Sequence, residues 1–275
     1  MKIDGKLIAL ELINQLKIRV QRLKEGGITP HLYIITFGED TQTESYLKQK
    51  KLRADQIGAK ITIKRFGNNA APKQVYELIE KLNKEKTVNG IIVQRPLPKQ
   101  LDPEKISLSV NLPKDVDGFH PKSTFSSPVA LAVFELLKMA AVVDFGDKDV
   151  VLAGKGVTAG KPIINFFARK AVTTTIVDSK TANGDEIFKN ADIIISSVGK
   201  KILSSNNIKK GVILIGVGMH VVDGKLKGDY DENEIENIAS FYSPTPGGVG
   251  PVNVTMLMKN LVEATEAQSA IPAPI

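Results

Sequence analysis

A two-domain α/β chain, each domain built on a parallel sheet, is the fold this sequence predicts. Three observations carry that reading. Short apolar runs rich in Val and Ile alternate with longer stretches of helical period, first over residues 7–94 and again over 129–267. Strand–helix–strand order of this kind pairs strands in parallel through right-handed crossovers. Between the two series, residues 112–128 lose their periodicity and collect Pro113, Pro121, Pro128 and a Ser/Thr cluster, as a passage between domains does.

The elements follow in order. Residues 7–23 read as a helix and 31–37 as a strand. A helix over 42–57 is closed by Gly58, the residue best suited to a left-handed cap. Residues 60–64 form a second strand, and Pro72 opens a helix over 72–84. A third strand over 90–94 runs into Arg95-Pro96-Leu97-Pro98. Beyond the passage, a helix over 129–141 leads to strands near 149–152, 172–177, 192–197, 212–217 and 241–242, with helices between most of them. Residues 253–267 form a closing amphipathic helix, and the tail 271–275 reads as frayed.

Composition excludes several classes. At 275 residues the chain can hold two real cores, and 42% hydrophobic with 24% charged residues is a soluble balance. No apolar run approaches a membrane span, and the opening residues lack a signal-peptide core, so no membrane partner is expected. Cys is absent, which removes disulfides, thiolate metal sites and a cysteine nucleophile and fits a cytoplasmic location. The +7 charge is scattered through helices and only 5% of residues are aromatic. That argues against nucleic acid and suits a small polyanion such as a dinucleotide or a polyglutamylated cofactor. His31, His120 and His220 form no spaced set. Asp115 and Asp117 have no His beside them, so one aspartate facing a ligand is expected rather than a metal.

Chemistry concentrates first in the helix over 42–57. With about 100° per residue and Tyr46 at zero, Ile57 falls near 20°, Lys50 near 40°, Ala54 near 80° and Leu47 near 100°. Lys50 therefore lies within the apolar stripe, while Lys48 and Lys51 point away. An amine turned to a core loses hydration, its pKa falls, and it can shuttle a proton beside a phenol. The same placement also suits a lysine that snorkels along the stripe edge. Gln94 ends a parallel strand, where ligands collect, and can orient the amine without adding charge. It equally suits a polar strand cap.

Two further loops stand out. Gly154-Lys155-Gly156-Val157-Thr158-Ala159-Gly160 follows an apolar strand and opens a helix, the Rossmann-type arrangement that offers backbone N–H groups to a pyrophosphate. After the next strand, Asp178 is placed to bind an adenosine ribose, which points to NAD. Lys155, Ser179 and Lys180 are equally placed to cradle the 2′-phosphate of NADP, and the two readings stay open. Ser243-Pro-Thr-Pro246-Gly247-Gly248-Val-Gly-Pro251 is a rigid loop stripped of side chains, suited to touching a flat ligand or to linking domains. Val217-Gly218 is a similar bare strand end for a nicotinamide ring.

Four motifs occur together. They are Tyr46-x-x-x-Lys50, Val93-Gln94-x-Pro96-Leu97-Pro98, Lys114-Asp115-Val116-Asp117-Gly118 and Pro244-x-Pro246-Gly247-Gly248-Val249-Gly250-Pro251. With the opening Ile3-Asp4-Gly5-Lys6 they closely resemble the bifunctional methylenetetrahydrofolate dehydrogenase/methenyltetrahydrofolate cyclohydrolase family across nearly the whole chain. The resemblance implies a catalytic, folate-binding domain over 1–124, joined by 252–275, and a dinucleotide-binding domain over 125–251. It implies oxidation of 5,10-methylenetetrahydrofolate with NADP, then hydrolysis of the methenyl product to 10-formyltetrahydrofolate. Lys50 would be the central acid/base, with Tyr46 holding the ring, Gln94 tuning the lysine and Asp117 binding the pterin. Pro246, Gly247 and Gly248 would touch substrate. Gly154, Lys155, Gly156, Gly160, Asp178, Ser179, Val217 and Gly218 would hold the dinucleotide, and the family usually forms homodimers. The chain departs from the family pattern at Ser127, Gly156, Asp178, Gly216 and Asn253, and its 120–128 passage is shorter. A cyclohydrolase-only or non-catalytic folate-binding relative is the competing expectation. A short-chain dehydrogenase also uses Tyr-x-x-x-Lys, but there the glycine loop comes first, and here it follows.

Overall fold

The computed structural model describes residues 1–269, so the tail at 271–275 lies outside the described residues. The chain divides into two units. One is Leu10–Pro128 with the chain from Val254 onward; the other is Met1–Ala9 with Val129–Asn253. No helix among the described residues is long and apolar enough to cross a membrane.

Helix α1 (Gly5–Glu25) starts in the second unit and, from Leu10, belongs to the first, where it leads to strand β1 (His31–Phe37), helix α2 (Thr41–Ile57), strand β2 (Lys60–Phe66), helix α3 (Pro72–Lys84) and strand β3 (Gly90–Val93). The three strands are parallel in the order β2-β1-β3, with Leu32 level with Ile61 and Gly90. β1 is buried along almost its whole length because it is central; β2, an edge, is half exposed. α1 turns Ile13, Leu16, Val20 and Leu23 inward at helical spacing, against Leu257, Met258 and Leu261 of the closing helix. Each such buried aliphatic side chain stabilises by about 1.5–3 kcal/mol.

Two pieces of this unit escape the periodicity. Helix α4 (Pro103–Ser109) has only seven residues, too few for a pattern to register. Asp102 starts it, its carboxylate accepting from the N–H groups of Glu104 at 2.8 Å and Lys105 at 3.3 Å. A 3-10 turn follows at Leu112–Lys114, inside the stretch read as irregular. There Lys114 is buried, and its Nζ donates to the carbonyls of Leu82 at 2.8 Å and Glu85 at 2.6 Å. It thus adds a second donor to two carbonyls at the end of α3 that already accept from the backbone N–H groups of Glu85 and Val88.

The second unit holds helix α5 (Pro128–Met139), strand β4 (Val150–Ala153), helix α6 (Gly160–Arg169), strand β5 (Thr174–Val177) and helix α7 (Gly184–Asn190). Strands β6 (Ile193–Ser196) and β7 (Ile213–Gly216) follow, then a hairpin of β8 (His220–Val222) and β9 (Lys225–Lys227). Helix α8 (Glu232–Ile235), strand β10 (Phe241–Tyr242) and helix α9 (Val249–Gln268) complete it, α9 running on into the first unit. Five strands form a parallel sheet in the order β10-β7-β6-β4-β5. Strand order reverses beside β4, so the ends of β4 and β6 flank the crevice where such sheets bind ligands. The hairpin and α8 are short and largely exposed, and no sequence period announces them.

The opening residues pack in this second unit. Ile3 N–H donates to Tyr242 at 2.8 Å and Tyr242 N–H to Met1 at 3.0 Å, extending the sheet past β10. Gly5 is required by a close approach: a Cβ there would sit 1.9 Å from the Gly248 carbonyl oxygen.

Candidate active site

In the first unit the chemistry starts from α2. Asp40 caps it, accepting from Thr43 N–H at 2.8 Å, and Gly58 closes it at φ 79°. Those stops fix the helix rotation, which turns Leu47, Lys50, Ala54 and Ile57 inward while Lys48 and Lys51 are exposed. Lys50 is only 9% exposed, and its Nζ donates to Gln94 Oε1 at 2.7 Å. Burial pulls the ammonium below its ordinary range, with the Asp117 carboxylate opposing. Tyr46, one turn earlier, is half-buried, and desolvation pushes its phenol up, so it stays a hydrogen-bond donor at neutral pH.

Gln94 sits just past β3, but its N–H still donates to Ile35 at 2.8 Å, so the backbone ladder holds it in place. Its amide Nε2 donates to the Arg95 carbonyl at 3.0 Å, which leaves Oε1 aimed at the lysine. A neutral acceptor supports either protonation state of Lys50 less selectively than a carboxylate would, so the amine stays able to cycle.

Asp117 comes from the turn after Val116. Asn260 of α9 fixes that turn, its Nδ2 donating to the carbonyls of Val116 and Ser126, both at 2.9 Å. Gly118 lies at φ 70°, where a Cβ would stand 2.8 Å from the Phe125 carbonyl oxygen. Asp117 is densely surrounded, which lifts its carboxyl above the usual range against the pull of Lys50 and then Arg95. Asp115 is spent inside the turn. It accepts from the N–H groups of Phe119 at 3.3 Å and His120 at 2.9 Å, and burial lifts its pKa to about 6.

In the second unit the glycine loop joins β4 to α6. Gly154 lies at φ 89°, with its N–H donating to Val177 at 2.9 Å. A Cβ on Gly160 would meet the Gly154 carbonyl oxygen at 2.3 Å, whereas one on Gly156 would meet open space. The loop is thus tight where it packs and open where a pyrophosphate would lie against the α6 N-terminus, so these residues fit a dinucleotide. Lys155 Nζ pairs with Asp178 Oδ2 at 2.5 Å, and Asp178 Oδ1 accepts from Lys180 N–H at 2.9 Å. Lys155, and next the Lys180 N–H, hold the Asp178 carboxyl below the usual range. Ser179 is exposed beside them.

Val217 and Gly218 follow β7, with both N–H groups bonded to the Ser196 carbonyl. A Cβ on Gly218 would lie 2.3 Å from Asp229 Oδ1. Asp229 is fully buried and accepts from Ser196 Oγ and from the N–H groups of Val198 and Gly199, both at 2.8 Å. It ties together the two strand-end loops, yet no motif marks it. Pro246 is exposed, Gly247 lies at φ 110° and Gly248 is buried, all in this unit. Among the described residues, no group of three or more His, Asp or Glu is placed to hold a metal.

Within the first unit the fold thus brings Lys50, Gln94 and Asp117 together, with Tyr46 on the same face of α2. Within the second it brings together the glycine loop, Asp178 and Ser179. Sequence reasoning missed Arg95, whose guanidinium stacks 4.4 Å from the Phe119 ring centre. No local signal marked it, because an arginine among prolines reads as solvated surface.

Two models of one family match the chain in succession. The catalytic-domain model of the tetrahydrofolate dehydrogenase/cyclohydrolase family matches residues 3–117, and that family's NAD(P)-binding-domain model matches 127–269. The bifunctional protein FolD of Staphylococcus epidermidis is 38% identical over 280 aligned positions, covering 98% of each chain. The crystal structure of the bifunctional FolD enzyme, a methylenetetrahydrofolate dehydrogenase/cyclohydrolase from Campylobacter jejuni, superposes at TM-score 0.93 with 32% identity, covering 98% of this chain and 99% of that one. The Trypanosoma brucei dehydrogenase-cyclohydrolase, solved with NADP and an inhibitor, superposes at 0.89 with 29% identity and 97% coverage of both chains. Matched along both of its domains, the chain belongs to the tetrahydrofolate dehydrogenase/cyclohydrolase family.

Proposed function

We propose that this chain oxidises 5,10-methylenetetrahydrofolate to the methenyl cation with NADP and hydrolyses that cation to 10-formyltetrahydrofolate. The observation that carries the reading is the buried Lys50 amine, hydrogen-bonded to Gln94 at 2.7 Å and facing Asp117. A bound nicotinamide dinucleotide supplies the hydride acceptor, and the glycine loop, Asp178 and Ser179 would hold it. The protein's own work lies in orientation and proton transfer. Tyr46 presents its O–H to the folate ring, and Asp117 accepts the pterin's N–H groups. In the hydrolytic step Lys50, with its proton lost, takes the proton of a water that adds to the methenyl carbon. The carbinol O–H then gives up its proton as the C–N5 bond breaks and N5 takes one up, leaving the formyl group on N10. Pro246, Gly247 and Gly248 would lie against the substrate. Family membership further supports a cytoplasmic homodimer, which light scattering would test as twice the 29.8 kDa chain mass.

Purified protein given methylenetetrahydrofolate and NADP should show methenyl absorbance rise and then decay, with a weaker signal from NAD. A flat trace with both cofactors would overturn the reading. Cofactor choice should turn on the Lys155–Asp178 pair. A 2′-phosphate must meet the Asp178 carboxylate, while a free 2′-hydroxyl can donate to it. Asp178→Ala should therefore raise the ratio of NADP to NAD binding about tenfold, measured by calorimetry without folate. An unchanged ratio would remove Asp178 from ribose recognition.

A further inference from the structure

Arg95 has no role in the account so far, and its surroundings in the first unit are unusual. It directly follows Gln94, which holds the Lys50 amine. Its guanidinium covers the Phe119 ring at 4.4 Å and donates to Ser107 Oγ at 3.1 Å. Arg95, Ser107, Asp117 and Phe119 line one pocket beside the end of β3. Stacking on an aromatic face and a hydrogen bond to a helix hydroxyl restrict a side chain that otherwise has many rotamers. With a longer bond to the Pro103 carbonyl at 3.5 Å, these contacts on a half-buried guanidinium are a device for fixing a positive charge in place.

We propose that Arg95 is a positioning residue for folate binding: clamped between Phe119 and Ser107, it keeps the neighbouring Asp117 an anion able to accept the pterin's N–H groups. The proposal rests on the folate reading above. Its reasoning is electrostatic. A carboxyl in crowded surroundings drifts toward its neutral form, and the neutral form has lost half its power to accept paired donors. Among the described residues, Lys50, Arg95 and Asp115 are the charged or titratable groups that act on Asp117. Lys50 approaches from α2 and Arg95 from the loop after β3, and both favour the anion. Asp115, in the same turn, disfavours it, though its own charge is answered by two backbone N–H groups. Lys50 must give up its proton during hydrolysis, and at that moment its hold on Asp117 vanishes. Arg95 cannot lose its charge at working pH, so it is the cation that persists through the cycle.

The test is Arg95→Leu, with Arg95→Lys as the conservative partner. Wild-type activity is established first, so that failure of the folate reading is seen separately. Arg95→Leu should raise the folate KM by a factor that grows as pH falls, reaching about tenfold on the acid side, with kcat within about twofold. The acid limb of kcat/KM for folate should move up by about one pH unit. Arg95→Lys should restore most of that pH shift, because it keeps the charge while losing the stack. NADP affinity in the second unit and the thermal midpoint serve as folding controls. A KM rise of equal size at every pH, or an unmoved acid limb in a folded Arg95→Leu protein, would overturn the proposal. If Arg95→Leu does not fold, Ser107→Ala, which loosens the clamp and leaves the charge, should show a smaller shift in the same direction; no shift there would also overturn it.

Discussion

Lys50→Met should slow hydrolysis of the methenyl cation by about a thousandfold, the scale of a lost general acid–base group. Methionine fills nearly the same volume, so the loss would be chemical and not a packing defect. Decay of methenyl absorbance measures it, and a variant that kept the full rate would remove Lys50 from the mechanism. Stability should move the other way. Burial lowers the Lys50 pKa in the folded protein, so between that lowered value and the unfolded value of about 10.4 the unfolded chain binds more protons. Folded stability contributed by this group therefore climbs with pH through that window and is weakest below it. Lys50→Met should erase that part of the climb, leaving the variant at least as stable as the parent at neutral pH. Urea midpoints at pH 7 and pH 9 would read it directly.

Asp229→Ala should be the most damaging single change in the second unit. The carboxylate is fully buried and answers one hydroxyl and two backbone N–H groups. Removing it leaves those donors dry and unpaired, at about 1–3 kcal/mol for each. Relaxation and entering water would recover part, so the expected loss is about 3–5 kcal/mol, or about 10 °C in the thermal midpoint. The loops after β6 and β7 should also loosen where the nicotinamide is proposed to lie. Dinucleotide affinity should therefore fall even at temperatures where the variant remains folded. Calorimetry of the midpoint and of NADP binding tests both, and a midpoint within about 2 °C of the parent would refute the account.

How much of this was legible in the sequence depends on range. α3 runs over Pro72–Lys84 as read, because proline and an apolar period of 3.6 are local signals. The inward rotation of Lys50 was legible for the same reason: a wheel needs only the residues on the helix. α9 begins at Val249 rather than 253, because Gly250-Pro251 reads as a loop although the first turn of a helix tolerates proline. α4 and the hairpin from His220 to Lys227 were not legible, being too short for a period and set by contacts elsewhere. Asp229 and Arg95 were missed for a deeper reason. A lone carboxylate in a Gly-Asp-Tyr loop, or an arginine among prolines, reads as solvated surface. Only the approach of residues about 30 positions away from Asp229, or of Phe119 to Arg95, makes either one structural. The pairing of Met1 and Ile3 with Tyr242 is of the same kind, because no local rule joins segments so far apart.

Asn260 holds the Asp117 turn through Val116, 144 positions earlier in the chain. During synthesis that turn must wait for its tether until the entire second unit has left the ribosome. The nucleotide half is thus free to mature early, while the pterin half stays unfinished and exposes the apolar groove that Leu257, Met258 and Leu261 later fill. A nascent chain in that interval would carry exposed apolar surface, the condition in which chains aggregate.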